Sequence, residues 1–530
     1  MISAALLAPL LIVIGHLFIP DVEAWHHLID TVLADYVLNS LVLTVGVALG
    51  ALFIGTSTAW LMTQYEFWGR GPLRFLLLLP LAMPAYIIAY TYTGMLDVSG
   101  WVQLMLRESL GWQYGDYWFP DVRSMPFAIG LMALVLYPYV YMLARTAFSE
   151  QGVNLREVSL TMGLSKTQHF YRVSLPLARP ALLTGAALAM MEALADYGTV
   201  QYFGINTFTT GIFRSWYAMG NRTAATQLAG VLCLFVLLVL VLEQHGRRQL
   251  KYYQKVNASS AQEQRIRLSG WRAGVTFLVC VTPVLLGFLI PLLQLIYWAI
   301  NVFELAAIDD FISLALGSFS LAAVTALVVV TLAVLFSYQL RWHASFANRW
   351  QVRLLSLGYA LPGMVIAVGA LIMLGQLDQW LNHFTYAVSG NYIGLLLSGS
   401  LFALVFCYSI RFLSVALQNT EAGIARISPS IDDAAQTLGA SRWRIFHRIH
   451  SPLLRTSVLT AGLLVFVDVL KELPATLVLR PFNFNTLAVR TYELASDERL
   501  FEAALPALTI VLVGLLPIII ITRTLDKRRT

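Results

Sequence analysis

Apolar runs long enough to cross a lipid bilayer recur from one end of this chain to the other, and no other feature restricts its fold as much. A spanning helix needs about 20 largely apolar residues, because backbone polar groups in hydrocarbon must pair within their own segment. Such runs lie near Ile2–Ile19, Leu38–Thr63, Leu73–Leu96, Pro126–Ala144, Ala181–Phe203 and Ala224–Leu242. A second series lies near Ala273–Ile300, Ile312–Leu340, Leu354–Leu374, Tyr392–Ile410, Ser457–Val478 and Leu505–Ile521. The composition agrees, with 58% hydrophobic and 12% charged residues and a mean hydropathy of +0.70. A soluble domain is excluded, and the expectation is an all-α integral membrane protein of about 12 transmembrane helices.

Charge sets the expected orientation. Roughly 27 of the 35 Lys and Arg residues fall in loops on the side of the N terminus or in the C-terminal tail, and about 7 on the other side. The loop Pro20–Asp35 carries Asp21, Glu23, Asp30 and Asp35 and no Lys or Arg. Both termini are therefore expected in the cytoplasm, and the net charge of +6 reflects sidedness and calls for no nucleic-acid partner. Met1–Ile19 lacks a basic leader and a small-residue cleavage site, so it reads as a span and not a signal peptide. Cys233, Cys280 and Cys407 lie within predicted spans without CxxC or Cys/His spacing, which makes them packing residues.

Two polar islands interrupt this apolar chain, and they are copies of each other. Asn154–Pro180 reads NLREVSLTMGLSKTQHFYRVSLPLARP, and Ser430–Thr456 reads SIDDAAQTLGASRWRIFHRIHSPLLRT. Asn154 and Ser430 have the character of helix N-caps, with Glu157 and Asp433 three residues on, as in a capping box. Leu155, Val158, Ser159 and Met162 match Ile431, Ala434, Ala435 and Leu438, one stripe of a short helix in each copy. Gly163 and Gly439 then stand where a left-handed residue ends a helix, and Ser165 and Ser441 can cap a second one. Each copy is thus expected to be a short helix, a sharp corner and a second helix that re-enters apolar sequence.

These corners resemble the EAA loop of ABC importer permeases, where a Glu-Ala-Ala triplet, a glycine and an Ile-x-Leu-Pro run form the coupling helix region. The first copy carries Glu157-Val158-Ser159, Gly163 and Val173-Ser174-Leu175-Pro176; the second carries Asp433-Ala434-Ala435, Gly439 and Ile449-His450-Ser451-Pro452. The resemblance implies that Glu157, Gly163, Pro176, Asp433, Ala434, Ala435, Gly439 and Pro452 belong to two ATPase-coupling loops on the cytoplasmic side.

Around the corners the two series of spans form two halves. Residues 1–243 make the first, with coupling loop 154–180, and residues 273–530 the second, with coupling loop 430–456. The polar stretch 244–272, with Arg247, Arg248, Lys251, Lys255, Arg265 and Arg267, is the joint between them. Six spans per half is an even number, so the halves are parallel repeats. Prolines enter the third and ninth spans at Pro80, Pro84 and Pro362, and Phe203, Asn206 and Thr207 recur as Phe482, Asn485 and Thr486.

The fifth and eleventh spans carry acids at matching places, Glu192 with Asp468 and Asp196 with Glu472, and Lys471 lies beside the second pair. Ionisable groups at membrane depth are expensive and mark pathways or internal networks. Residues four apart can share one helix face, so these acids are candidates for a translocation pathway, Glu192 and Asp468 foremost. The alternative is a structural network in which Lys471 pairs with one of them. The stretches ALADYGTV and DVLKELPATLVLRPFNFNTLA resemble the fused permeases of bacterial ferric-iron importers along nearly the whole chain.

That second resemblance implies a type I ABC importer permease fold in the bacterial inner membrane. It also implies a periplasmic Fe(III)-binding protein and a homodimeric cytoplasmic ABC ATPase as partners. The chain has no GxxxxGK[ST] phosphate loop, HExxH or nucleophile elbow, so it has no visible means of hydrolysing ATP by itself; no cofactor is expected in this chain, and the resemblance assigns ATP and Mg to the partner ATPase. No fixed metal site is expected, only transient iron contacts at Glu192 and Asp468. Thiamine or another small solute is the alternative cargo. A secondary transporter also suits twelve spans in two parallel halves, but ion coupling does not need the duplicated corner.

Overall fold

A computed structural model describes residues 2–19, 22–248, 265–302 and 308–526. Most of the joint and the end of the basic tail, Lys527–Arg529, lie outside the described residues. The helices that matter below are α1 (Ile2–His16), α2 (Leu33–Gln64), α3 (Ala85–Leu96), α4 (Met125–Glu150), α5 (Gly152–Thr161), α6 (Leu175–Ala195), α7 (Gly198–Tyr202) and α8 (Arg222–Arg248). The second half supplies α9 (Trp271–Val284), α10 (Ile290–Val302), α11 (Ile308–Trp342), α12 (Gly363–Ser389), α13 (Leu401–Ile424), α14 (Pro429–Thr437), α15 (Ser451–Leu470), α16 (Pro474–Leu479) and α17 (Leu500–Asp526).

Among the described residues, 10 helices are long and apolar enough to cross a membrane. The segment Arg70–Ala82 with Ala85–Leu110 is a further span bent by 91°, and α1 is a shorter apolar helix. These fall six to each half, in the order that the apolar runs predict. The fold is all-α, and the one sheet among the described residues is a parallel pair of two residues per strand, β1 (Tyr65–Glu66) and β2 (Ile266–Arg267).

The boundaries of the ninth and tenth spans differ from expectation. Pro362, with ψ 136°, starts α12 at Gly363, so the run near Leu354–Leu374 is divided between a short helix, a turn and the first part of α12. The stretch after Tyr392 is apolar but not helical: α13 begins only at Leu401. Side chains of α12 hold that stretch in place. Asp378 accepts the backbone N–H groups of Leu396, Leu397 and Ser398 at 3.1, 2.9 and 2.8 Å, and Asn382 accepts those of Ile393 and Gly394 at 2.9 and 3.0 Å. Without a helix to supply carbonyl acceptors, carboxylate and amide oxygens pair these backbone donors.

The halves share local chemistry. Ser40 in α2 accepts the N–H of Phe208 at 3.2 Å, and Ser318 in α11 accepts that of Leu487 at 2.9 Å. Thr207 and Thr486 cap the helices that follow them. The recurring phenylalanines part company, since Phe203 is buried and Phe482 fully exposed.

The halves also reach into each other. Helix α1 packs against α12, where Gly369 leaves room: a Cβ there would stand 2.4 Å from the Pro9 carbonyl oxygen. In the other direction, α10 lies on α3; Tyr92 donates to the Leu286 carbonyl at 2.7 Å, and Trp101 donates to Gln294 at 3.0 Å. Cys233, Cys280 and Cys407 are buried free thiols within the helix packing.

Candidate functional site

Two regions collect the residues singled out by the sequence: a cavity inside the bundle, and the pair of corners at one end of it.

The cavity, of about 130 Å³, is lined by Glu192, Asp196, Asp468 and Glu472 together, with Lys471, Arg411, Tyr139 and Tyr359 among its other walls. It sits where helices break. Pro84 and Pro362 each start a helix after a short 3-10 turn, and α6 and α15 each stop inside their spans. Asp196 and Glu472 therefore do not continue the helix of Glu192 and Asp468, contrary to the shared-face expectation; α6 ends at Ala195 and α15 at Leu470.

The reason is capping. Asp196 accepts the N–H groups of Thr199 and Val200 at 2.9 and 3.2 Å and the Thr199 hydroxyl at 3.0 Å, which closes the start of α7. Glu472 accepts the N–H of Ala475 at 3.1 Å at the start of α16, the matching place in the second half. A short polar side chain that satisfies free amide groups favours a new helix start over helix continuation.

The deeper pair has other partners. Asp468 is 2.9 Å from the Lys471 ammonium, and Glu192 accepts from the Tyr359 hydroxyl at 3.1 Å. Tyr139 lines the same cavity wall as Tyr359. Arg411, from α13, faces Glu472 with its Nε 3.4 Å from the carboxylate. Tyr139, Tyr359 and Arg411 were not visible as site residues in the sequence. None belongs to the duplicated pattern, and Arg411 falls one residue beyond the expected tenth span, so hydropathy did not mark it, although it lies within the helix Leu401–Ile424. Among the described residues, no three His, Cys, Asp or Glu side chains gather into a metal site.

The corners form as the repeat suggests, with shifted starts. Asn154 is the third residue of α5, and Ser430 the second of α14, whose start is set by Pro429 after Ser428; neither is the N-cap. The acid that turns inward in the second copy is Asp432, and Asp433 is exposed, as is Glu157 in the first. Gly163 (φ +83°) and Gly439 (φ +77°) end the two helices in the left-handed region. Behind them Leu164 N–H reaches the Ser159 carbonyl at 3.1 Å, and Ala440 N–H the Ala435 carbonyl at 2.9 Å, the Schellman closure.

Ser165 and Ser441 accept the N–H groups of Gln168 and Arg444 at 3.2 and 3.3 Å and cap the second helices. Both copies then widen into a π-helical turn, Phe170–Ser174 and Phe446–His450, before Pro176 and Pro452 open α6 and α15. The stripe is largely exposed in both copies. Val158 and Met162 in one copy, and Ile431 and Leu438 in the other, point outward, with Met162 78% and Leu438 87% exposed.

Comparison with known proteins follows this geometry. The profile of the family described as "binding-protein-dependent transport system inner membrane component" matches residues 51–244 and again 330–530. The chain is 26% identical over 494 residues, 93% of its length and 90% of the relative's, to the Fe(3+)-transport system permease protein FbpB 2 of Haemophilus influenzae. It is 22% identical over 427 residues to the putative ferric transport system permease protein FbpB 1 of the same organism, 76% of this chain and 63% of that one. The molybdenum transport system permease protein ModB, also from Haemophilus influenzae, is 26% identical over 202 residues, 38% of this chain and 85% of its own. The chain belongs to the binding-protein-dependent transport system inner membrane component family and carries that family's domain twice in one polypeptide.

Proposed function

We propose that this protein is the permease of an ATP-driven importer that moves ferric iron, handed over by a soluble periplasmic binding protein, across the bacterial inner membrane. The observation that carries the choice of cargo is the cavity wall. Four carboxylates stand there against two cationic side chains, an excess of hard oxygen ligands suited to a hard cation and adverse to an anion. The relative that spans nearly the whole chain is named for Fe(3+) transport, which agrees.

Glu192 and Asp468 would meet the cargo most directly, because Asp196 and Glu472 are already engaged in capping. Nothing here forms a tight chelate, which suits a path that must release what it takes up. The exposed apolar residues of α5 and α14, with Glu157, Gly163, Asp433, Ala434 and Gly439 around them, form the two seats for a homodimeric ATPase, which uses ATP and Mg. Both corners and both termini then face the cytoplasm.

Molybdate or sulfate is the second reading, favoured by Arg411 and Lys471 in the cavity and by relatives named for molybdenum and sulfate transport. Uptake of radioactive iron, molybdate and sulfate by proteoliposomes holding the whole complex separates the two. Iron accumulation that requires ATP and the binding protein is the expected result, and oxyanion uptake without iron uptake would refute it.

A further inference from the structure

The two corners are built on the same plan but fastened differently. In the first half, Trp60 of α2 packs on Phe148 and Phe170 at 5.2 and 4.7 Å. Buried His169 lies between the hydroxyls of Ser159 (2.7 Å) and Ser174 (3.0 Å). These contacts join neutral hydroxyls, an imidazole and ring faces. In the second half the equivalent aromatic is Tyr338 of α11, packed on Phe446 and His450 at 5.1 and 5.6 Å.

One helical turn further on stands Arg341, which has no counterpart in the first half. The matching residue there is Thr63, whose hydroxyl donates to the Ala59 and Trp60 carbonyls of its own helix. Arg341 Nε donates to Asp432 Oδ2 at 2.7 Å, and its other nitrogens donate to the Ile424 and Ile427 carbonyls at 3.1 Å. The second carboxylate oxygen, Oδ1, is 2.7 Å from Nε2 of His450, which is completely buried at the entry to α15. Arg156 occupies the place of Asp432 in the first copy, so the charge is reversed there.

One guanidinium and one carboxylate thus tie the corner helix α14 to the end of α11, the end of α13 and the start of α15. Those three spans pack on one another. Charge-assisted hydrogen bonds between buried groups are short, directional and about twice as strong as neutral ones.

We infer that Arg341, Asp432 and His450 are positioning residues for energy coupling, and that they make the second corner the stiff one. A displacement of α14 is passed to α11, α13 and α15 as a unit, whereas the first corner yields under the same push. The inference rests on the reading that the corners seat the ATPase.

The test uses the whole complex, this chain with its ATPase, in proteoliposomes with loaded binding protein outside. Two quantities are read: ATPase retained on purification, and iron taken up per ATP hydrolysed. Asp432→Asn should keep the ATPase bound and lower uptake per ATP by about tenfold, and Asp432→Glu should restore part of it. The first-corner variant Ser159→Ala with Ser174→Ala should change the ratio by less than about twofold. Equal losses from the two corners, or wild-type coupling in Asp432→Asn, would overturn the inference. If Asp432→Asn does not fold, Arg341→Lys, which keeps the charge and loses the fork, is read in its place with the same two outcomes. The seating of the ATPase is checked separately, by cross-linking from Met162→Cys and Leu438→Cys; failure of both would remove the reading itself and not merely the asymmetry.

Discussion

Replacing Arg411 by Met gives the most direct measure of what holds the cavity together. The guanidinium and the Glu472 carboxylate are both buried, with Nε 3.4 Å from Oε2. They are pressed against Gly363, where an added Cβ would lie 2.3 Å from Nη1 and 2.4 Å from Glu472 Oε1. Little room is left for a substitute partner to move in. Without the guanidinium, that carboxylate keeps the hydrogen bond it accepts from the Ala475 N–H. Removing one member of a buried ion pair costs about 3–5 kcal/mol, because a charge is left uncompensated.

Removing both, as Arg411→Met with Glu472→Gln, leaves neutral groups of similar volume. Such replacements are often neutral or stabilising, and Gln can still accept the Ala475 N–H. The double variant should therefore recover most of the loss, with a coupling energy near 3 kcal/mol, at the upper end for residues in contact. Unfolding in mixed detergent micelles, followed by tryptophan fluorescence on the wild type, both single variants and the double, supplies the cycle. Additivity to within about 0.5 kcal/mol would refute the pairing. Iron uptake by the same four proteins adds a second reading: a stable double variant that transports normally places the pair outside the path.

Glu192→Ala with Asp468→Ala should abolish iron uptake while the ATPase stays bound and its hydrolysis still responds to the binding protein; loss of assembly, or normal uptake, would mark both acids as scaffold. Gly163→Ala and Gly439→Ala meet no steric obstacle, since nothing lies within 4 Å of the added carbon. Each should cost about 1–2 kcal/mol through its left-handed backbone alone and weaken ATPase binding, which co-purification would register. In sealed cells a membrane-impermeant thiol reagent should fail to reach Leu438→Cys or Met162→Cys and should reach Phe482→Cys, and the opposite pattern would reverse the proposed orientation.

What the sequence made legible was what repeats. Period and length located the spans, and self-comparison found both corners, the glycine turns and all four cavity acids, because each occurs twice with the same spacing. What stayed hidden occurs once. Arg341, Arg411, Tyr139 and Tyr359 have no partner copy, and their roles depend on which helices touch. Alignment also misled by one residue: matching Glu157 to Asp433 drew attention from Asp432, whose inward direction follows from a helix start fixed by Pro429. The broken spans were missed for a related reason. Hydropathy sees an unbroken apolar run through Asp196 and Glu472, and only the amide groups that these side chains accept explain why the helix stops.

The exchange of α1 and α10 between the halves bears on how such a chain comes to exist at all. An arm that rests on the neighbouring half leaves apolar surface uncovered on both sides if the two are parted, so each half is a poor independent membrane protein. Two free polypeptides would have to meet by diffusion in the bilayer, and like could join with like. A covalent tether changes that contest, since it presents the right mate at an effective concentration in the millimolar range, whatever the expression level. Here the mates are unlike: one corner is fastened by the Arg341–Asp432 ion pair, and the other by His169 between two serine hydroxyls. Joining them in one reading frame guarantees one of each in every assembly. Once stoichiometry is secured in this way, the halves are free to diverge in sequence and to specialise.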